Sequence, residues 1–347
     1  MYNDATTATT ARCFHKRYYM SADIGLQGRP VMLGNIPCGR EYPPVLVAEL
    51  GINYAYNESE DFLGNILSMI NLAKMAGADI VKVQKRTPRV CVPRDEWYKC
   101  RSTPWGEMDY IAYKEKLEFD AVAYDTINAE CKRLKIPWFA SVWDLESLAF
   151  LEPYDLPCYK IGSASLTDWE LVKAVVDTGK PVILSTGMST ETEIFRAVWH
   201  ISRAWDRLVL CHSTSIYPCP KEKLNLRMIQ TLQRDYPKLV IGYSGHEIGA
   251  RITPAAVALG ASYIERHFTL DRRGWGTDQA ASLEHWQFKD MADRIHETWF
   301  SLGDGIKEVY PEEEAKKVSL RRTPDANDQE GQENQEGNEE AVRCQEG

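Results

Sequence analysis

From Val45 onward the chain repeats one unit: a short apolar run, one or two polar residues, then a segment with apolar side chains at helical spacing. The runs are Val45–Ile52, Ile80–Gln84, Trp138–Val142, Cys158–Gly162, Pro181–Thr186, Leu208–His212, Leu239–Ser244 and Tyr263–His267. Runs that are apolar on both faces need cover on both sides, and a helix between each pair makes neighbouring strands parallel. Eight such units in succession predict an α/β architecture, the (β/α)8 TIM barrel, over residues 45–308.

Local signals mark the helices. Phe62, Ile66, Met69, Ile70 and Ala73 share one helical face, and Asn57 with Glu60 is expected to form a capping box ahead of them. Thr167 with Glu170, and Thr190 with Glu193, repeat that signal, while Gly77, Pro137, Gly179 and Gly260 mark helix ends. Residues 1–44 read as an irregular lead-in, with room for one hairpin around Val31–Leu33. Residues 309–347 read as a charged segment ending in a disordered acidic tail, because Pro324 to Gly347 is nearly free of apolar side chains. The connection from Arg86 to Phe119 is far longer than a turn requires. It is expected to lie over the barrel mouth as a lid or substrate wall, with surface decoration as the plainer alternative.

Composition narrows the class of function. A formal net charge of −9 gives no support to a nucleic-acid surface. No run approaches the ~18 apolar residues of a membrane helix, and the N-terminus lacks the basic start and apolar stretch of a signal peptide. A cytoplasmic protein with neither a nucleic-acid nor a membrane partner is expected. Nine cysteines at irregular spacing, with no CxxC pair, fit reduced thiols better than a disulfide framework.

In such a barrel the chemistry sits at the carboxyl ends of the strands, and those ends are crowded with polar residues. The first strand brings Glu49 and Asn53, the second Lys82 and Gln84, the third Ser141, the fourth Lys160 and Ser163, and the fifth Ser185. The sixth ends in His212, Ser213, Ser215 and Tyr217; the seventh brings Ser244 and His246, the eighth Glu265 and His267. Two lysines on otherwise apolar strands call for an anion, and Ser163, Ser185, Ser244 and the Gly187 backbone could hold its oxygens. The competing reading pairs each lysine with a barrel carboxylate such as Glu49 or Glu265. Residues two apart on a strand share a face, so His246 and His267 are expected to meet on adjacent strands beside Glu265. Two imidazoles and a carboxylate suit a divalent transition metal, against the alternative of hydrogen-bonded core histidines. Asp278 lies in a Gly-rich loop after the eighth strand and suits a turn whatever its function.

At this point several ordered motifs carry a resemblance: VAELGIN, DIVKVQ, YKIGSAS, PVILSTGMS, CHSTSIYP, GYSGHE, ERHFTLD and GTDQAASLE. Over roughly Val45 to Lys307 the chain resembles the sialic acid synthases, which condense phosphoenolpyruvate with an N-acetylated hexosamine to give nonulosonic acids. The resemblance implies Glu49 as the acid/base carboxylate near the sugar. It places Lys82, Gln84, Lys160, Ser163, Ser185 and Ser244 on phosphoenolpyruvate and Asn53, Tyr217 and Asp278 on the sugar side. Ser141, Ser213 and Glu265 join the substrate-binding set, and Lys82 and Lys160 act in catalysis by stabilising shifting charge. His246 and His267 match the ligands of a divalent metal, Mn2+ first, with Mg2+ or Co2+ as alternatives. That metal polarises the open-chain aldehyde, C3 of phosphoenolpyruvate attacks it, water adds at C2, and phosphate leaves by C–O cleavage.

The chain departs from the family pattern at Ser165, where an acidic residue is common, at Ser141–Val142–Trp143, where Ser-Thr-Pro is common, and at Ser215, where Asn is frequent. The family's C-terminal antifreeze-like domain is not found after Lys307, so Arg89, Arg101, Trp105 and Tyr113 of the long connection are the expected substitutes at the sugar. The expected partners are phosphoenolpyruvate, an amino sugar and a second copy in a homodimer. N-Acetylneuraminate from N-acetylmannosamine is the leading reaction. Legionaminate or pseudaminate synthesis from a 2,4-diacetamido-trideoxy hexose, a sugar-phosphate acceptor, and a catalytically silent sugar-binding barrel are the alternatives.

Overall fold

The structure is a computed structural model that describes residues 29–321. Its twelve strands are β1 (Val31–Leu33), β2 (Ile36–Cys38), β3 (Val45–Glu49), β4 (Ile80–Lys85), β5 (Cys100–Thr103), β6 (Gly106–Asp109), β7 (Trp138–Val142), β8 (Tyr159–Ile161), β9 (Val182–Ser185), β10 (Leu208–Ser213), β11 (Val240–Gly245) and β12 (Tyr263–His267). Eight of them, β3, β4 and β7 to β12, close into a barrel in which each strand pairs with its sequence neighbour and β12 returns to β3. Every one of these pairings is parallel, as the intervening helices require.

Period-2 alternation divides the strand side chains between two cores. Outward residues such as Leu46, Ala48, Val81, Ala140 and Ile264 pack with the helices in the larger cluster. Inward residues Val45, Val47, Ile80, Phe139, Ile183, Val209 and Tyr263 fill the lower barrel. The β1–β2 hairpin supplies Val31, Leu33 and Cys38 to that inner cluster and so closes the floor. The lead-in thus contains the hairpin its apolar pieces allow.

The helix starts differ in part from expectation. Thr190 and Glu193 form the reciprocal capping box before Glu191–His200. Elsewhere Asp61, rather than Asn57 with Glu60, caps Phe62–Met75, and Asp168 rather than Thr167 caps Trp169–Asp177. Aspartate one residue nearer the helix reaches the free N–H groups directly, while Asn57 folds back on the Ser59 amide. The first barrel strand stops at Glu49 because Gly51 turns the chain at φ +50°, short of the predicted Ile52.

The 86–119 connection holds the short helix Pro88–Cys91, the β5–β6 hairpin and the helix Tyr110–Lys116. Lys85 pins its far end by bonding Glu118 and the Phe119 carbonyl. The compact barrel unit ends at Leu302, and the residues from Gly303 form a separate unit. That unit contains a helix, Pro311–Leu320, with three glutamates in its first turn and Lys317 in its last, matching the helix dipole. The acidic tail predicted from Pro324, and the first 28 residues, lie outside the described residues. Among the described residues no helix is long and apolar enough to cross a membrane.

Candidate active site

Above the apolar floor the inward positions turn polar in register. Glu49 faces Lys82, Gln84 faces Ser141, Ser141 faces Lys160, Ser244 faces Glu265, and His267 faces Glu49 on neighbouring strands. Because parallel partners in register point to the same side, the strand ends form a ring of side chains around one cavity of about 800 Å3.

The ring is electrically closed at its base. Lys160 bonds both oxygens of Glu265 at 2.9 and 2.8 Å, and Ser244 and Tyr263 donate to the same carboxylate. Lys82 pairs with Glu49 at 2.5 Å, approaches Glu265 at 3.6 Å, and donates to Ser141. Burial alone would push the Glu265 carboxyl up, but Lys160 and Lys82 outweigh it and hold it well below the usual range. For Lys82 burial pulls downward, and Glu265 and Glu49 reverse the sign, so its ammonium is held in the charged form. A Schiff-base lysine needs the opposite shift. The two lysines are therefore matched by two carboxylates within the fold, and their burial does not by itself demand an external anion.

The stronger sign of a ligand lies beside them. The hydroxyls of Ser185, Ser213 and Ser215 are buried without a hydrogen-bond partner. Ser163 accepts from the Gly187 amide at 3.0 Å and keeps its own proton free to donate. A Cβ on Gly187 would sit 2.2 Å from the Ser215 hydroxyl and 2.7 Å from that of Ser163, so only glycine leaves this cradle open. Buried hydroxyls without partners are costly, and an oxyanion with several acceptor oxygens would satisfy all of them.

Glu49, Gln84, Tyr217, Asp278 and the two histidines line the rest of the cavity. Gln84 donates to Glu49 at 2.7 Å, and Gly51 brings its backbone against Glu49, Gln84 and Asp278, which an added Cβ would meet at 3.1, 3.2 and 3.7 Å. The His246 and His267 rings stand 5.4 Å apart, with the Tyr217 ring 4.0 Å from His246. His246 Nδ1 bonds the Thr214 carbonyl, which fixes its proton there and leaves Nε2 as a lone pair. Burial, aided by His267, lowers the pKa of His246 to about 3, so this imidazole is neutral. His267 Nδ1 is buried without a hydrogen-bond partner and lies 3.8 Å from an Asp278 oxygen.

The neutral His246 ring and the partnerless Nδ1 of His267 fit a divalent metal in donor type. Glu265, expected beside them, is instead saturated by lysine, serine and tyrosine donors. Among the described residues no group of three His, Cys, Asp or Glu side chains converges, so these residues supply an incomplete shell.

All but one of the residues that the motifs assign to catalysis, substrate or metal line this cavity. Asn53 does not: it is buried beneath the wall, where its amide donates to the Phe268 carbonyl and to Ser282. It anchors the loop that carries Asp278. His212 bonds the Leu224 carbonyl as a core residue. In the long connection, Arg89 pairs with Glu115, Arg101 lies over Tyr110, and Trp105 and Tyr113 pack against Trp275. None of these four lines the cavity; Arg86, Tyr110 and Lys114 do. Arg86 continues the inward period of Lys82 and Gln84, a signal present in the sequence. Trp143, a noted departure, lies against the Arg86 guanidinium at 4.3 Å. Nothing in the pattern marks Lys114, whose position depends on how the connection folds.

The NeuB family model matches residues 69–307. The chain is 33% identical over 284 residues to N,N'-diacetyllegionaminic acid synthase of Campylobacter jejuni, covering 80% of this chain and 83% of that protein. It is 34% identical over 294 residues to N-acetylneuraminate-9-phosphate synthase of Drosophila melanogaster, covering 83% and 76% of the two chains. Among solved structures, the N-acetylneuraminic acid (sialic acid) synthetase of Leptospira borgpetersenii superposes with a TM-score of 0.75 at 28% identity, covering 85% and 99%.

Proposed function

This chain belongs to the NeuB family, and we propose that it is a nonulosonic acid synthase that joins phosphoenolpyruvate to an N-acetylated hexosamine. The observation that carries this reading is the cradle of partnerless serine hydroxyls at Gly187, set in one cavity with the Lys82–Glu49 and Lys160–Glu265 pairs and the two imidazoles.

Phosphoenolpyruvate is assigned to the serine side. Ser163, Ser185, Ser213 and Ser215 take its phosphate oxygens, and Lys82 and Lys160 turn part of their charge from the glutamates to the ligand's anionic groups. The aldehyde of the open-chain sugar is assigned to the histidine side, above Tyr217. A divalent cation, Mn2+ first and Mg2+ or Co2+ as alternatives, would be held there by His246 and His267 and would supply Lewis-acid polarisation of the aldehyde. C3 of phosphoenolpyruvate forms the new bond to the aldehyde carbon, whose oxygen takes a proton. Water then adds at C2, and the C2–O bond breaks to release phosphate. Glu49, held by Lys82 and Gln84, is assigned the movement of those protons.

N-Acetylmannosamine is the leading parent skeleton for the acceptor. The similarity to a legionaminic acid synthase favours a second reading with a 2,4-diacetamido-trideoxy hexose. Phosphate release from phosphoenolpyruvate, followed with each sugar and added Mn2+ against a chelator control, tests both. Sugar- and metal-dependent release is expected. Folded, metal-loaded protein that releases none with N-acetylmannosamine, its 6-phosphate or the diacetamido sugar would overturn the synthase reading.

A further inference from the structure

We propose that Arg86 and Lys114 form an anion subsite at the cavity mouth that takes a terminal phosphate on the acceptor sugar, making a phosphorylated N-acylhexosamine the preferred substrate. The identity of the sugar rests on the synthase reading; the subsite rests on charge and geometry. At the base of the cavity Lys82 and Lys160 are matched by Glu49 and Glu265. The mouth is not matched. Arg86 and Lys114 line it together with Asp278, while Glu96 on the same wall is already engaged by Lys99.

Glu118 is divided among three donors: Lys85 at 3.2 Å, the Arg86 amide at 3.3 Å and the Arg86 guanidinium at 3.5 Å. Lys114 makes no ion pair among the described residues and lies against the Tyr110 and Tyr113 rings, 5.2 and 4.9 Å from their centroids. Burial, with Arg86 next, lowers its pKa to about 8, and Asp278 and Glu118 offset only part of that shift. Trp143 stacks on the Arg86 guanidinium while Gln84 takes its Nη2 and Glu118 lies against its Nε, so the group is held in place before a ligand arrives. A carboxylate offers two coplanar oxygens and one charge. A phosphomonoester offers a third oxygen and a second charge for the lysine.

The test compares N-acetylmannosamine 6-phosphate with N-acetylmannosamine on the full chain, by calorimetric binding and by phosphate release from phosphoenolpyruvate. The 6-phosphate is expected to bind at least tenfold more tightly and to show at least tenfold higher kcat/KM. Lys114→Met and Arg86→Gln should each shrink that ratio about tenfold, and Lys114→Arg should restore most of it. Equal binding of the two sugars to wild-type protein overturns the subsite, even where release proves the synthase reading. Tighter binding of the 6-phosphate without release from either sugar leaves the subsite standing and counts against the synthase reading. A tenfold loss of phosphoenolpyruvate affinity in Lys114→Met, measured without sugar, would assign the cations to the co-substrate and overturn the proposal.

Discussion

The base of the cavity and its mouth are built on different terms. At the base every charged group comes from a barrel strand, partners face one another in register, and two lysines meet two glutamates. At the mouth the charges come from the end of β4, the long connection and the loop after β12, and Lys114 makes no ion pair among the described residues. A balanced base keeps the barrel stable with no ligand bound, whereas an unbalanced mouth leaves charge available to discriminate between ligands. Stability should therefore depend most on the base, and selectivity on the mouth.

The sharpest way to break this contrast is at Glu265. Glu265→Ala leaves Lys160 buried without its partner, and chemical denaturation should show a loss of about 3–5 kcal/mol. The folded Glu265 binds its proton less readily than the unfolded one, so its contribution is fully present above the unfolded carboxyl value of about 4.3 and is lost as pH falls towards the folded value. Glu265→Gln should accordingly flatten the acid limb of the stability curve. Next in size, Lys160→Met should lower kcat for phosphate release by about 10²–10³-fold, as removal of a charge-stabilising donor does. Gly187→Ala pushes a methyl into the serine cradle, and the KM for phosphoenolpyruvate should rise about tenfold. Smallest is Arg101→Ala. This side chain lies over Tyr110 but does not itself line the cavity, and steady-state kinetics with either sugar should stay within about twofold of wild type.

The same division governs what could be read from sequence. Strand ends were legible because period 2 and parallel register fix which side chains share a face, so Glu49, Lys82, Lys160, Glu265 and the histidine pair could be placed together from spacing alone. Register could not say which partner each would choose. Glu265 was expected near the histidines and is held by Lys160 instead, since a buried carboxylate gains far more from an ammonium than from a neutral ring. Asn53 read as a cavity residue because it follows the first strand, but Gly51 turns the chain and directs it beneath the wall. The connection gave its place over the mouth through length. Its contributing residues depended on tertiary packing around Trp105 and Trp275, which no local pattern encodes.

The hairpin that closes the floor also sets a traffic rule. With Val31, Leu33 and Cys38 sealing one end of the barrel, everything that reaches the serine cradle must pass the mouth. On the proposed chemistry a sugar seated against the histidines and the connection would stand in that path. The enol substrate is then expected to load first and the sugar second, and initial-rate patterns should show a compulsory order of addition rather than a random one.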